Sequence, residues 1–180
     1  MEILMATSEC LPFSKTGGLG DVSYALSSEL AKLNNHVSVI VPFYKELDKK
    51  YKVKYLYSID VKMNWRHIKA DILHLVHENI DYYFVANDYY FRRNGGLYGY
   101  FDDGERFAFF NLTVIEFMKR LPTNIDILHV HDWQTAMLPC LLRCKYEWDA
   151  KLGNVKTVLT IHNPLFKGYF NPESLYDLYE

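Results

Sequence analysis

Glu2-Ile3-Leu4-Met5-Ala6-Thr7-Ser8 leads into Lys15-Thr16-Gly17-Gly18-Leu19-Gly20-Asp21, and these two stretches decide the fold. The first is short and mostly apolar, the pattern of a buried strand. Behind the second, Leu19, Val22, Ala25, Leu26, Leu30 and Leu33 recur at helical spacing. A strand, a glycine turn and a helix in that order put the turn at the C-terminal end of the first strand. Ligands bind at that edge in open α/β sheets. Glycine permits positive φ and close backbone approach. A helix N-terminus offers unpaired N–H groups and a partial positive charge, and lysine adds a full one. The turn therefore suits a phosphorylated ligand. It is not a Walker A loop, because Lys15 precedes the glycines, and Gly17, Gly18 and Gly20 lack the dinucleotide spacing. Taken alone, it also reads as a plain tight turn with a solvated lysine.

Further along, His36 to Val41 reads as a second buried strand closed by Pro42. Tyr51 to Asn64 alternates through Val53, Tyr55, Tyr57 and Ile59, and Ile68 to Val85 holds two or three more short strands. This block predicts hairpins at or beyond a sheet edge. Asp88 to Gly104 is a polar, aromatic and glycine-rich loop carrying Arg92-Arg93-Asn94-Gly95-Gly96 and Tyr98-Gly99-Tyr100. A loop of that length in a compact domain is usually functional or disordered. Glu105 to Leu121 reads as a helix, Ile127 to Val130 as a strand, Trp133 to Tyr146 as a helix and Lys156 to Ile161 as a strand. The alternation predicts an α/β, Rossmann-like doubly wound domain. Its sheet is mainly parallel with helices on both faces and an added β-hairpin region. Asn171-Pro172-Glu173 opens a last helix with proline in its first turn. No element then closes the fold, so residues 1–180 are expected to be one N-terminal domain of a longer protein, truncated at its C-terminal end.

The 180 residues fit one large domain, and a net charge of −2 favours neither nucleic acid nor an acidic membrane surface as partner. Fifteen tyrosines exceed what a core needs and suit stacking on sugars. A strand bearing Glu2 directly after Met1 argues against a signal peptide, and no apolar stretch reaches transmembrane length. Cys10, Cys140 and Cys144 are odd in number and lack metal-site spacing, so reduced, largely buried thiols and a cytoplasmic location are expected.

Two further strand ends are polar. His129-Val130-His131-Asp132-Trp133 ends one strand and opens a helix, with His129 and His131 on one face by period two. A metal reading would enlist Asp132 as third ligand. With no further ligand cluster evident, an aspartate helix cap beside packed histidines is the expected arrangement. Thr160-Ile161-His162-Asn163 ends the next strand. Three polar strand ends thus converge on one edge.

Four motifs occur in order: Lys15 to Val22 (KTGGLGDV), Tyr98-Gly99 with Arg106-Phe107, Ile127 to Ala136 (ILHVHDWQTA) and Thr160 to Gly168 (TIHNPLFKG). Together they resemble the N-terminal domain of bacterial glycogen synthases and plant starch synthases, and the resemblance covers the whole chain. It implies the N-terminal half of a GT-B-type glycosyltransferase, with two Rossmann-like domains facing across a cleft. The implied reaction transfers glucose from ADP-glucose to the non-reducing end of an α-1,4-glucan such as glycogen, with retention and with neither metal nor cofactor. Lys15 would meet the donor diphosphate, and Gly17 and Gly18 would bring backbone amides against it. Asp21 would orient sugar hydroxyls or support the helix start. Tyr98 and Asp132 would line the glucosyl and acceptor region. His162 would hydrogen-bond the transferred glucose, with Asn163 in support. His162 and Asp132 are the implied catalytic pair.

The resemblance also implies a C-terminal nucleotide-binding domain beyond this chain, so the chain alone is expected to be inactive. Phe166-Lys167-Gly168 stands where Tyr-Gln-Gly is usual, and Asp103-Gly104 where Asn-Ala is common, which touches acceptor contacts more than donor chemistry. No carboxylate pair of the double-displacement kind is evident, so a front-face reaction is implied. A non-catalytic glucan-binding module and a UDP-glucose-dependent transferase are the alternative readings.

Overall fold

A computed structural model describes residues 1–45, 47 and 50–179. The elements run β1 (Glu2–Ala6), α1 (Gly18–Lys32), β2 (His36–Pro42), β3 (Lys54–Met63), β4 (Arg66–His77) and β5 (Ile80–Ala86). They continue with α2 (Asp103–Arg120), β6 (Ile127–His131), α3 (Asp132–Thr135), α4 (Met137–Lys145), β7 (Lys156–Thr160) and α5 (Glu173–Tyr179). One sheet takes the order β3-β4-β5-β2-β1-β6-β7. The strands from β5 to β7 are parallel, and β3 and β4 pair antiparallel beside them. This is the doubly wound sheet with an added hairpin that the sequence predicts. The β4–β5 turn places both Glu78 (φ 50) and Asn79 (φ 62) at positive φ, the geometry of a two-residue type I′ hairpin.

Alternate residues of the central strands feed two cores. Leu4 and Ala6 of β1 pack on the face covered by α2, with Val85, Leu128, Val130 and Phe110. Ile3 and Met5 pack on the opposite face, with Val37, Val39 and Leu26 of α1. Burial on both faces is why these strands read as continuous apolar runs. The chain leaves β1 toward β2 on one side and returns through α2 to β6 on the other. The strand order therefore reverses between β1 and β6, the crevice where open α/β sheets bind ligands.

Three local expectations change. In α1, Leu19 is buried and Leu26 and Leu30 pack against the core as the spacing predicts, but Gly20, Ser23 and Ser27 are buried beside them while Val22 and Leu33 are exposed. The single helix expected from Trp133 to Tyr146 is two, α3 and α4, joined at Ala136. Pro139 explains the break, because its ring would collide with the Thr135 carbonyl of a continuous helix and is tolerated only in a first turn. Finally, α4 turns Leu138, Leu141 and Leu142 inward, leaving Cys140 and Cys144 exposed as free thiols with Sγ atoms 3.8 Å apart. Only Cys10 of the three is buried.

Candidate active site

The glycine turn sits where the β1 edge meets α1. Gly17 is the N-cap, with φ −148, and among the described residues no side chain caps the helix. That leaves the first N–H groups of a 15-residue helix facing outward, a site that favours anions. A Cβ on Gly17 or Gly18 would meet nothing within 4 Å, and neither has positive φ. The fold itself does not demand glycine at either position, and the space above them is open. Gly20 is different: a Cβ there would come within 3.0 Å of the Ser14 carbonyl, so the loop folds tightly over the first helical turn. Lys15 Nζ lies 2.7 Å from Asp21 Oδ1 and 2.6 Å from Oδ2, with both side chains about half exposed. Asp21 therefore pairs with the lysine.

Beneath the turn lies Glu9, 3% exposed. Its carboxylate accepts from the Thr16 N–H (2.5 Å), the Thr16 hydroxyl (2.7 Å), the Gly17 N–H (3.4 Å) and the Tyr98 hydroxyl (2.7 Å). Tyr98 spends its one proton on Glu9, so Ser8 Oγ, 2.7 Å away, donates to Tyr98. The Tyr98 hydroxyl thus points into the protein, and burial drives its pKa far up. Sequence reading missed Glu9. Its one signal is a carboxylate three residues past a buried strand, which must find donors or stay in water.

Tyr98 is delivered by a loop built on buried charge. Arg106 is 1% exposed and donates to Asp103 Oδ1 (2.5 Å), the Tyr90 carbonyl (2.8 Å) and the Leu97 carbonyl (3.1 Å). Asp103 Oδ2 accepts from the Gly99 N–H at 2.8 Å and the Tyr100 N–H at 3.3 Å. Arg93 forks onto both oxygens of Asp102 (2.7 and 2.6 Å), which holds that carboxyl below its ordinary range. The Tyr100 ring lies against both guanidiniums, 4.5 Å from Arg106 and 5.1 Å from Arg93. Gly99 takes φ +92, the left-handed bend that turns the loop back toward α2. Asp103, which departs from the related pattern, is here the counter-charge of Arg106.

At the β6 and β7 ends, three imidazoles stack. The His129 and His131 rings lie 4.3 Å apart at 25°, and those of His131 and His162 5.2 Å apart at 20°. His131 Nδ1 is 2.9 Å from His162 Nε2, while among the described residues His131 Nε2 is buried without a partner. A buried orphan acceptor costs less than a buried orphan donor. His131 therefore carries its proton on Nδ1 and donates to His162, whose own proton then sits on Nδ1. Among the described residues no group of three His, Cys, Asp or Glu could hold a metal ion. Asp132 adopts φ 57, a strained left-handed conformation for a non-glycine residue. It caps no helix: the N-cap of α3 is His131, and Asp132 Oδ1 instead accepts the His162 N–H at 2.7 Å. Asn163 Oδ1 accepts the Leu165 N–H at 3.0 Å and shapes the turn after His162.

Burial, reinforced by the neighbouring histidines, pushes His131 down from 6.5 to about 3. The unfolded chain accepts this proton below about pH 6.5 and the folded chain does not, so stability falls as pH drops through the window from 6.5 toward 3. Between pH 7 and 5 this one group removes about 2 kcal/mol of stability. Urea unfolding of His131→Asn at the two pH values should show the pH-dependent loss reduced by that amount. An unchanged loss would contradict a neutral buried imidazole.

The three strand ends are neighbours: Ala6 pairs with Val130, and His131 with Thr160. At about 4.8 Å per strand, the ends of β1 and β7 lie about 10 Å apart. A chain of ring contacts bridges the loops above them, Tyr98 to Phe107 at 5.9 Å and Phe107 to Trp133 at 5.2 Å. Gly168, at φ +61, lies where a Cβ would strike the Trp133 indole. A hollow of about 240 Å³ borders Asp132, lined by Trp133, Leu159, Ile161 and Phe166. Among the described residues no helix is long and apolar enough to cross a membrane.

The family model described as "Starch synthase catalytic domain" matches residues 2–180. Glycogen synthase from Streptococcus mutans is 47% identical over 181 residues, covering 99% of this chain and 38% of that protein. Glycogen synthase from Lactococcus lactis is also 47% identical, over 184 residues and the same shares. The chain thus spans 38% of the length of these curated relatives. The catalytic domain of starch synthase IV from Arabidopsis thaliana, bound to ADP and acarbose, superposes with a TM-score of 0.81 at 27% identity, over 90% of this chain and 34% of that one. The family model, the curated relatives and the fold agree that this chain belongs to the starch synthase catalytic domain family.

Proposed function

We propose that residues 1–180 are the N-terminal, acceptor-side domain of an ADP-glucose-dependent α-1,4-glucan glucosyltransferase that retains anomeric configuration, with the nucleotide-binding domain lying outside this chain. The observation that carries the reading is the uncapped start of α1 beneath open glycines, with Lys15 beside it and His162 at the neighbouring strand ends. The relatives' name, glycogen synthase, and the ADP and acarbose in the plant structure support the same donor and acceptor classes.

In this reading the donor diphosphate approaches the α1 N-terminus and displaces Asp21 as the partner of Lys15. As the bond from anomeric carbon to phosphate oxygen breaks, negative charge grows on the departing diphosphate, where Lys15 and the helix N–H groups stabilise it. The acceptor hydroxyl attacks the same face of the sugar, and its proton passes to the leaving phosphate. The His162 Nδ1–H donates to a hydroxyl of the transferred glucose. Asp132 fixes the His162 backbone, and His131 fixes its ring.

The test is glucose incorporation into glycogen by the full-length protein, with ADP-glucose and UDP-glucose compared as donors and the 180-residue chain assayed beside it. ADP-glucose should be the better donor and the chain alone should be inactive. No transfer by the full-length protein would overturn the activity. A preference for UDP-glucose would overturn the donor.

A further inference from the structure

We propose that Glu9 is a positioning residue that couples the glycine turn to the Tyr98 loop, so that the donor-side and acceptor-side walls of the site are set together. For its kinetic readout the proposal rests on the glucosyltransferase reading above. The two walls come from distant parts of the sequence, residues 15–21 and 88–102, and the Glu9 carboxylate bonds to both. Three of its four donors belong to Thr16 and Gly17, and the fourth is the hydroxyl of Tyr98. A carboxylate 3% exposed with every bond filled from the protein is not free to meet substrate. Its negative charge would also repel a diphosphate, so direct donor contact is not its role.

The bonds occupy the N–H groups of Thr16 and Gly17 from beneath, which leaves the next N–H groups, at the start of α1, facing the open side. Glu9 thereby decides which amides the turn presents. Hydrogen bonds to an ionised acceptor are the strong kind, and burial denies water as a substitute partner. If Glu9 loses acceptor capacity, the turn and the Tyr98 loop should loosen in concert. Tyr98→Phe removes the link from the other side without touching the turn.

The full-length protein carries the experiment, with Glu9→Gln, Tyr98→Phe and the double variant. Gln keeps the shape but turns an N–H₂ toward N–H and O–H donors. Glu9→Gln should raise the KM for ADP-glucose about tenfold or more, with a smaller change in kcat. Tyr98→Phe should raise it less, and the double variant should be no worse than Glu9→Gln alone, because both cut one connection. Hydrogen exchange should quicken together in residues 14–20 and 95–100 of either single variant. If Glu9→Gln does not fold, Thr16→Val removes one donor from an exposed position and should still quicken exchange in residues 95–100.

A donor KM within twofold of wild type, multiplying effects in the double variant, or exchange that rises in one segment only would overturn the proposal. So would a kcat loss of about 10⁴ with exchange unchanged, which would make Glu9 a reacting group. Failure of the wild-type protein to transfer glucose would sink the glucosyltransferase reading alone, since the exchange result still decides the coupling.

Discussion

Lys15→Ala in the full-length protein is expected to lower kcat/KM for ADP-glucose by about 10²–10³, the range for deleting one preorganised electrostatic stabiliser of a leaving group. The fold should not notice. Lys15 makes a half-exposed pair with Asp21, and exposed pairs contribute about 0–1 kcal/mol. The two effects therefore separate cleanly: catalysis collapses while the unfolding midpoint stays put. Asp21→Asn is the informative companion. Asp21 pairs with Lys15, so removing its charge should leave the lysine more available and donor KM unchanged or lower. Lys15→Arg should recover part of the activity, since it keeps the charge but replaces a compact ammonium with a wider fork. Initial rates of glucose incorporation, read with melting curves of the same samples, check all three. A Lys15→Ala variant keeping a third of wild-type kcat/KM would remove the lysine from the chemistry. A glucan-binding module without transfer would also bind glycogen equally well with or without this side chain.

What the sequence made legible follows from how local each determinant is. The β1–turn–α1 unit and the parallel strands are written in contiguous patterns, and period two put His129 and His131 on one face, where their rings stack. The polar strand ends could be aligned because parallel neighbours finish at the same edge. The inward face of α1 was legible at Leu19, Leu26 and Leu30 but not at Ser23 and Ser27, which are buried where Val22 is exposed, a packing choice that hydropathy does not encode. The break at Ala136 was readable from Pro139. The roles of site residues were least legible. Beside the substrate roles that the resemblance implies for Tyr98 and Asp132, Tyr98 bonds Glu9, 89 residues away, and Asp132 holds a backbone N–H 30 residues away. Hydrogen bonds over such separations leave no periodic trace. Arg106 stood in the sequence only as part of the Tyr98-Gly99 and Arg106-Phe107 motif, and its place among the most buried side chains of the protein had no local signal.

That burial makes Arg106→Met the substitution with the largest expected effect on stability. Met fits the volume but takes away a cation that serves one carboxylate and two carbonyls. Asp103, 8% exposed, would then hold a negative charge with only the Gly99 and Tyr100 N–H groups to support it. Breaking a buried pair by removing one partner costs about 3–5 kcal/mol. For a domain of this size about 2–4 °C accompanies each kcal/mol, so the melting temperature should fall by about 6–20 °C. Because the orphaned charge dominates the loss, Asp103→Asn added to Arg106→Met should recover part of it, although each substitution alone is destabilising. The same logic reaches the site. Arg106 and Asp103 together fix residues 97–100, and that stretch carries Tyr98 to Glu9. Below its lowered melting temperature, Arg106→Met should therefore share the raised donor KM of Tyr98→Phe, although the arginine touches no part of the glycine turn. Differential scanning calorimetry of the single and double variants, with donor KM measured at 15 °C, would check both halves. A double variant less stable than Arg106→Met would show that lost packing, not unpaired charge, sets the cost. An unchanged donor KM would mean that the Tyr98 loop holds its place without the buried ion pair.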